Sequence, residues 1–401
     1  TLIISAVDFT SQEISIGNNN NYTVKLKLQD KSLQEVVVVG YGTQRKLDNV
    51  GSVSSIKGVE IAQRPIQSFE AGLAGKATGV QITSPNGLLN NPPVFRIRGT
   101  NSISLSSYPL IVIDGVPTYT GDASGTNAPG NALASINPND IESIDIAKDA
   151  AATAIYGSRA ANGVVFVTTK KGKAGKARIS YDGWLGFSKA FRLPELLDAF
   201  QYVDVKNQAV ANNPSQLATL GANPFKLTND ANGNPINTNW YDEVYRSALS
   251  HNHALSVSGG NDATKYYFGV GYTNQEGIVK SNNFIRQNVL FNVDSRISKL
   301  ISVGGKIAFS NEKNNIATSS GSLSGEAFGI AGLGRTALVN APNVSSYKAD
   351  GSYNIVTRAT PPASPDFIGV MNNAVPQVGF FNPAILLDKN RSNSESNHIQ
   401  A

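Results

Sequence analysis

Four segments in the second half of the chain alternate apolar and polar residues, and this pattern restricts the fold more than any other feature. They span residues 178–187, 265–273, 285–294 and 301–310. A side-chain period of two is typical of β-strands that have one apolar and one polar face. Leu255 and Val257 indicate a further strand, and residues 396–400 indicate the beginning of another. A large sheet with two chemically different faces is therefore expected.

The connections between these segments differ greatly in length. Residues 261–264 and 295–299 are short turns, whereas 188–250 and 311–395 are too long for the hairpins of a compact domain. Soluble sandwiches and membrane barrels both use alternating strands. Short turns on one side and long loops on the other are typical of outer-membrane barrels. The sequence therefore favours a transmembrane β-barrel.

Composition narrows the class of protein further. No run approaches the ~18–20 continuous apolar residues of a membrane-spanning helix, so any crossing of a membrane would use strands. Cysteine is absent from the 401 residues, which excludes disulfides and thiolate metal sites. The net charge is +5, and the densest basic patch covers residues 170–178. No recognition motif accompanies that patch, so nucleic acid is not expected as a partner.

The first half contains an unusual run of four valines, Val36–Val39. Consecutive β-branched residues favour an extended backbone. The run lacks polar alternation, and Gly40 and Gly42 end it abruptly. Such a strand either lies buried inside a sheet or offers its edge to another protein by strand addition. The residues alone leave both interpretations open.

The region between the valine run and the alternating segments mixes strands with short helices. Strands are predicted at 94–98, Leu110–Ile113, 141–146 and Val164–Thr169. Asp114 and Gly115 form a tight-turn signal, and residues 150–156 indicate a short alanine-rich helix. The strand–helix–strand order favours a compact α/β unit.

Several stretches resemble the SusC/RagA-like TonB-dependent outer-membrane transporters. LQEVVVVGYGTQRK, which begins at Leu33, resembles their energy-coupling region, the Ton box. Their plug domain is resembled by FRIRGT at 95–100, YPLIVIDGVP at 108–117, IESIDIAKD at 141–149 and IYGSRAANGVVFVTTKKG at 155–172. The resemblance implies an all-β transmembrane β-barrel with an α/β plug domain inside it. Only five or six of about 22 barrel strands are recognisable, so the barrel is expected to be partial.

The resemblance also sets the predicted domain boundaries. Residues 1–28, with strands at 2–7 and 22–28, are the expected end of an N-terminal carboxypeptidase-regulatory-like β-sandwich. Residues 29–42 hold a linker and the Ton box, 43–175 the plug domain, and 176–401 the first barrel strands with long extracellular loops. A barrel wide enough for this plug needs more strands than the chain supplies, so the chain is expected to be the N-terminal part of a larger protein.

Three groups of site residues follow. The resemblance implies that TonB binds, from the periplasmic side, Glu35, Val36, Val37, Val38, Val39 and Gly40. A latch between plug and barrel is predicted at Arg96, Arg98 and Arg159, with Asp182 or Asp294 as carboxylate partners and static anchoring as the alternative. Plug loops rich in Asn, Ser, Thr, Gly and Tyr suit hydrogen bonding to a ligand, which gives Asn101, Tyr108, Tyr119 and Asn127 as candidates.

No catalytic or cofactor site is predicted. The Gly40-Tyr41-Gly42 turn lacks the third glycine of a dinucleotide site, because position 45 is arginine. His251 and His253 would share one face of a strand, but no carboxylate pair accompanies them, so no metal site is expected. No serine nucleophile has an evident histidine partner. The chain is therefore not expected to be an enzyme.

The resemblance implies active import of a large nutrient, a glycan oligosaccharide or a peptide, driven through TonB. It implies a SusD-like surface lipoprotein as a lid, contact with outer-membrane lipid, and a second copy of the transporter as a further candidate partner. The expected location is the outer membrane of a Gram-negative, Bacteroidota-like bacterium, with plug and N-terminus toward the periplasm. Two alternatives stay open: a non-transporting structural subunit of a larger outer-membrane assembly, and a surface sensor.

Overall fold

A computed structural model of the protein describes residues 2–4, 12–14, 24, 36–39, 42–45, 52–62, 66, 68–84, 88–100, 107–120, 130–149, 154–317, 332–355, 381–389 and 391–401. These residues form a compact plug domain, a broad curved sheet that covers one side of the plug, and a helical cap. No helix in these ranges is long and apolar enough to cross a membrane.

Two small antiparallel hairpins precede the plug. Strand β1 (Leu2–Ile4) pairs with β2 (Gln12–Ile14), and β3 (Val36–Val39) pairs with β4 (Gly42–Arg45). Strand β2 lies where a loop was expected. Of the strand predicted at 22–28, only Val24 is described, and it is not part of a strand. The assignment of residues 1–28 to a β-sandwich stays a prediction.

The plug is built on a mixed five-stranded sheet. Its elements in chain order are β5 (Val53–Lys57), α1 (Gly58–Ala62), α2 (Phe69–Gly72), β6 (Val80–Thr83), β7 (Val94–Ile97), β8 (Leu110–Ile113), β9 (Val116–Thr118), β10 (Ile141–Ala147) and β11 (Val164–Thr169). The sheet order is β5-β10-β11-β8-β9, in which only β11 and β8 run parallel, while β6 and β7 form a separate hairpin. The sheet core is apolar because β8 and most of β11 are buried on both faces.

The plug strands lie close to their predicted positions, but one predicted helix differs. A short helix was expected at 150–156, and the link between β10 and β11 contains a 3₁₀ helix at Ala154–Ala160, while residues 150–153 lie outside the described residues. Gly157 in this link has a positive φ of 58°, which interrupts the helical geometry. The Asp114-Gly115 turn between β8 and β9 is present, with positive φ at both residues.

The curved sheet, here called the wall, is an antiparallel meander of six long strands. They are β12 (Gly175–Ser188), β13 (Ala248–Gly260), β14 (Thr264–Glu276), β15 (Asn283–Arg296), β16 (Ser302–Ala317) and β17 (Arg391–Gln400), each paired with its neighbour in sequence. Every alternating segment of the sequence lies in one of these strands. The chain therefore combines an α/β plug with part of a barrel wall, as the sequence predicted.

The two faces of the wall are inverted relative to a soluble protein. Its inner face, which contacts the plug, buries polar side chains such as Asn252, Thr273 and Arg286. Its outer face exposes large apolar side chains such as Phe268 and Phe291. An apolar exterior around a polar interior is the pattern of a transmembrane barrel, in which lipid covers the outer side chains.

The long connections of the wall fold together into a helical cap. Its helices are α3 (Ala199–Ala211), α4 (Pro214–Leu220), α5 (Trp240–Val244), α6 (Leu333–Val339) and α7 (Pro383–Asp388). Trp240 lies buried in a cluster with Leu333 and Leu386, and its Nε1 donates to the Ala341 carbonyl at 3.0 Å. The sequence indicated only loops here. Each helix of the two long connections, 188–250 and 311–395, is too short to bury an apolar face alone, so the two connections must pack together.

Candidate functional site

The valine strand forms a hairpin with the residues that follow it. Val36 lies opposite Arg45 and Val39 opposite Gly42, so one edge of β3 is occupied by β4. Within the described residues, the other edge of β3 pairs with no strand. Glu35 and Gly40 lie outside the described residues. The extended backbone fits either interpretation of the run, and its binding to TonB stays a prediction.

Asp140 joins the plug to two adjacent strands of the wall. It ends the 3₁₀ turn Pro138–Asp140, directly before β10. Its carboxylate accepts hydrogen bonds from Tyr267 Oη at 2.9 Å and from Asn288 Nδ2 at 2.8 Å. Burial raises the pKa of Asp140 above its usual value, and the hydrogen bond from Tyr267 opposes that rise. The residue is a buried polar anchor between β10 of the plug and strands β14 and β15.

Arg286 binds the plug backbone from the wall side. It is 1% exposed. Its Nη1 donates to the carbonyl of Ala134 at 2.7 Å and to that of Ile136 at 3.2 Å, and its Nη2 donates to Thr273 Oγ1 at 3.2 Å. A guanidinium has five donors, so several acceptors are needed to hold it in a buried place. Arg286 thus fixes the end of the plug's 3₁₀ helix Ala132–Ser135 against β15.

Side-chain amides extend this contact along the wall. Asn137 Nδ2 donates to Asn288 Oδ1 at 3.0 Å, and Asn139 Nδ2 donates to Asn252 Oδ1 at 3.1 Å. A Cβ atom at Gly271 would lie 2.4 Å from both atoms of the Asn137–Asn288 pair, so this strand needs glycine to let the amides approach. The plug therefore contacts the wall mainly through polar side chains.

An ion pair forms a second contact between plug and wall. Lys306 on β16 donates to Asp114, which lies in the turn between β8 and β9. The Asp114 carboxylate also accepts from the backbone N of Thr169 at 2.9 Å and from its Oγ1 at 2.7 Å. The side chains of Lys306 and Asp114 are only 18% and 15% exposed, so this pair is better shielded from water than a surface pair.

The predicted latch arginines have other surroundings. Arg98 forms an ion pair of 2.5 Å with Asp149 inside the plug, Arg96 lies half-buried on β7, and Arg159 is exposed. Within the described residues none of them pairs with Asp182 or Asp294. Their role as a latch stays a prediction.

In the observed ion pair between plug and wall the polarity is reversed: the plug supplies the carboxylate and the wall supplies the cation. Arg286 and Lys306 lie in two of the alternating segments, but their contacts with the plug were not predicted. The tight-turn signal at Asp114 was the one available hint, because a carboxylate in a β-turn lies at an edge of the sheet.

The predicted ligand residues are separated in the structure. Tyr119 follows β9 and is 64% exposed. Tyr108 precedes β8, and its hydroxyl donates to the buried carboxylate of Glu70. Asn101 and Asn127 lie outside the described residues. Their contact with a ligand stays a prediction.

One cavity lies beside Tyr119, and another lies in the cap. The first, of about 400 Å³, opens between plug and wall, and its lining includes Tyr119, Asp140, Lys306 and His398. Its lining combines these polar groups with apolar side chains such as Val116 and Leu290. The other, of about 530 Å³, lies in the cap between residues 194–198 and 338–342.

The two neighbouring histidines lie on the same face of β13, as the sequence predicted. His251 and His253 alternate with the inward-facing Asn252, so both lie on the outer face of β13. Tyr181 Oη lies 2.6 Å from His253 Nδ1, within hydrogen-bond distance. Among the described residues, no three histidine, aspartate or glutamate side chains gather closely enough to hold a metal ion.

Comparison with known proteins identifies a family for the plug and relatives that match both the plug and the wall. Residues 45–164 match the TonB-dependent Receptor Plug Domain family. TonB-dependent receptor P3 of Formosa agariphila is 37% identical over 348 residues, which are 86% of this chain and 31% of that protein. TonB-dependent receptor SusC of Bacteroides thetaiotaomicron is 34% identical over 400 residues, which are 99% of this chain and 37% of that protein.

A solved structure supports the same relationship. The RagAB peptide transporter matches with a TM-score of 0.65 and 26% identity, over 87% of this chain and 38% of that chain. The chain spans about a third of the length of these relatives. The relatives are receptors and transporters rather than enzymes.

Proposed function

This chain belongs to the SusC/RagA-like TonB-dependent transporters, which are outer-membrane proteins of Gram-negative bacteria, and on that basis we propose that it takes part in the TonB-driven import of a large nutrient. The nutrient is a glycan oligosaccharide or a peptide. The relative with a solved structure is named as a peptide transporter, which supports the peptide class, while the residues of this chain suit both classes.

The observation that carries the proposal is the polar contact between the plug and the inverted wall. Asp140, Arg286 and the Asp114–Lys306 pair hold the plug by hydrogen bonds and one ion pair. Polar contacts that can exchange for water break and re-form at a lower net cost than a tightly packed apolar core. A plug held in this way is suited to reversible displacement inside a barrel.

The order of elements suggests how a pull would reach the plug. The valine strand β3 precedes β5 in sequence, and within the described residues β5 is an edge strand paired only with β10. A partner that adds a strand to β3 gains backbone hydrogen bonds that depend little on side chains. Tension on β3 would therefore pass through β4 to β5, while β10 stays tied to the wall through Asp140. This arrangement requires that the N-terminus and the plug face the periplasm.

The cap offers a place for the lid. It lies at the ends of the wall strands opposite the short turns, which puts it on the extracellular side in this orientation. It exposes apolar side chains such as Phe191 and Phe200, and its cavity lies beside Leu197. A SusD-like surface lipoprotein would cover such a surface. Tyr119 stays a candidate ligand residue in this proposal, as do Asn101 and Asn127, which lie outside the described residues.

Proline at position 37 tests the coupling role of β3. Val37→Pro removes a backbone donor from the strand, so we expect loss of binding to the periplasmic domain of TonB and loss of uptake, with the barrel still folded. Val37→Thr is the matched control, because it keeps both the backbone N–H and the β-branch. Uptake that persists in Val37→Pro would rule out this strand as the coupling site.

A second experiment separates import from the assembly-subunit alternative. The native, full-length protein is purified in mild detergent, and the bound molecules are identified by mass spectrometry. One SusD-like lipoprotein with trapped oligosaccharide or peptide is the result expected for an importer. Several unrelated envelope proteins without a ligand would favour a structural subunit instead.

A further inference from the structure

Glu70 is a carboxylic acid buried in the plug, and the proposed import function does not use it. It lies on α2 and is 0% exposed. Its Oε2 accepts a hydrogen bond from Asn131 Nδ2 at 2.7 Å, and its Oε1 accepts one from Tyr108 Oη. An ion pair between Glu60 and Lys76 joins α1 to the segment after α2 and is partly exposed. One side chain thus joins α2 to the residues before β8 and before the 3₁₀ helix Ala132–Ser135.

Asn131 uses both ends of its side-chain amide. Its Oδ1 accepts from the backbone N of Leu133 at 2.9 Å and so caps the 3₁₀ helix. Its Nδ2 donates to Glu70. An amide held at both ends has one orientation, because a flip would place a donor against the Leu133 N–H. Glu70 therefore fixes the cap of this helix.

The helix that Asn131 caps is the one that Arg286 of the wall binds. The carbonyls of Ala134 and Ile136 accept from Arg286 Nη1 at 2.7 Å and 3.2 Å. Their positions depend on the course of the backbone from Asn131 to Ile136. A chain of hydrogen bonds thus leads from Glu70 through Asn131 to the wall, and all of its members lie in the described residues.

We propose that Glu70 is a positioning residue for the contact between plug and wall, because it holds the turn whose carbonyls bind Arg286. The inference rests on the proposed function only in treating the wall as part of the barrel around the plug. Release of Glu70 from Asn131 and Tyr108 would loosen the turn and weaken the contact with Arg286. Because α2 follows β5 and α1 in the chain, tension that reaches β5 would next reach Glu70.

The charge of Glu70 gives this role a measurable signature. Burial raises the pKa of Glu70 from 4.5 to about 7, while hydrogen bonds from Asn131 and Ser68 oppose the rise. The titratable group in direct contact with it is Tyr108. In an opened plug the carboxyl is hydrated and its pKa returns toward 4.5. The closed plug is therefore favoured at low pH, loses stability as the pH rises above about 4.5, and has lost the whole contribution above about 7.

Hydrogen exchange measures the opening directly. In the full-length protein in lipid nanodiscs, protection factors are determined by mass spectrometry for the amides of residues 133–140 at pH 6, 7 and 8. Protection factors already divide out the pH dependence of unprotected exchange. From the two pKa values, linkage predicts that protection falls about tenfold between pH 6 and pH 8 in the wild type.

Two variants separate a positioning role from general stability. Glu70→Gln removes this titrating group but leaves Asp140, whose pKa burial also raises, so its protection is expected to fall about tenfold less than that of the wild type over this range. Glu60→Gln is the matched control, because Glu60 lies on the neighbouring helix and is half-exposed, and it should keep the wild-type profile. A flat wild-type profile, or a Glu70→Gln profile that falls as steeply as the wild type, would overturn the inference.

A further variant keeps the test decisive if Glu70→Gln does not fold. Tyr108→Phe removes one donor to the carboxylate, which raises its pKa further and should move the fall in protection to higher pH. A profile that does not move would contradict the inference. Protection requires neither TonB nor ligand, so this result and the Val37→Pro uptake result can fail separately.

Discussion

The ion pair between Asp114 and Lys306 allows a quantitative test of the plug–wall contact. Both side chains are largely shielded from water, and the carboxylate keeps its two hydrogen bonds from Thr169 when Lys306 is replaced. When Asp114 is replaced, Lys306 Nζ still donates to Gln400 Oε1 at 3.1 Å, so removing either partner does not leave a wholly unpaired buried charge. A hydrogen bond to a charged group contributes about 1.5–3 kcal/mol, which is the coupling free energy expected for this pair.

A double-mutant cycle measures that coupling. Asp114→Asn suits the positive φ of 48° at this position, since asparagine tolerates the left-handed region, and Lys306→Gln keeps a polar side chain in the lumen. The free energy of local opening is obtained from hydrogen-exchange protection of residues 110–118 in the full-length protein and both single and double variants. Each single variant should lower protection about 10- to 150-fold, and the double variant should lower it hardly further.

A surface ion pair provides the matched control for this cycle. Lys173 and Glu142 are 2.9 Å apart, but their side chains are 77% and 45% exposed. The same cycle with Lys173→Gln and Glu142→Gln should give a coupling of about 0–1 kcal/mol. If the Asp114–Lys306 coupling is no larger than that of the control, the view of this pair as a specific contact between plug and wall is refuted.

Two other substitutions test the wall and the cap. Phe268→Arg places a charge in the middle of the outer apolar face and should destabilise the inserted barrel by about 2–4 kcal/mol. Val303→Arg, which lies next to a turn, should destabilise it by only about 0–1 kcal/mol. Both free energies are measured by urea titration in lipid vesicles. Trp240→Ala removes a buried ring and should destabilise the cap by about 3–5 kcal/mol, which limited proteolysis detects as faster cleavage than in the exposed control Phe200→Ala. Equal effects within either pair would contradict the assigned environments.

Much of the wall was predictable because its pattern is local. A strand turns successive side chains to opposite faces, so the alternation around Phe268 and Phe291 fixes both strand and face without knowledge of any partner. The same holds for the Asp114-Gly115 turn, whose backbone geometry depends on two neighbouring residues. The resemblance of the plug motifs supplied the fold class.

The plug–wall contacts were not predictable in the same way. Arg96, Arg98 and Arg159 stood out in sequence as charged residues in matching motifs, yet Arg98 pairs inside the plug. The choice of Asp140 as the anchor depends on how β10 meets β14 and β15, which are more than a hundred residues away in the chain. No local sequence pattern indicates a contact between residues so far apart in the chain.

What the sequence by itself determined is therefore the set of elements whose physics is local: strands with two faces, tight turns and an extended valine segment. Tertiary structure alone decided which side chains lose their water. Glu70 is a buried acid that accepts hydrogen bonds from Tyr108 and Asn131, which lie far from it in the sequence, and the cap forms because two distant loops share one apolar core. Burial is a property of the assembled chain. It causes the shifted pKa of Glu70 and accompanies the polar contacts between the wall and the plug.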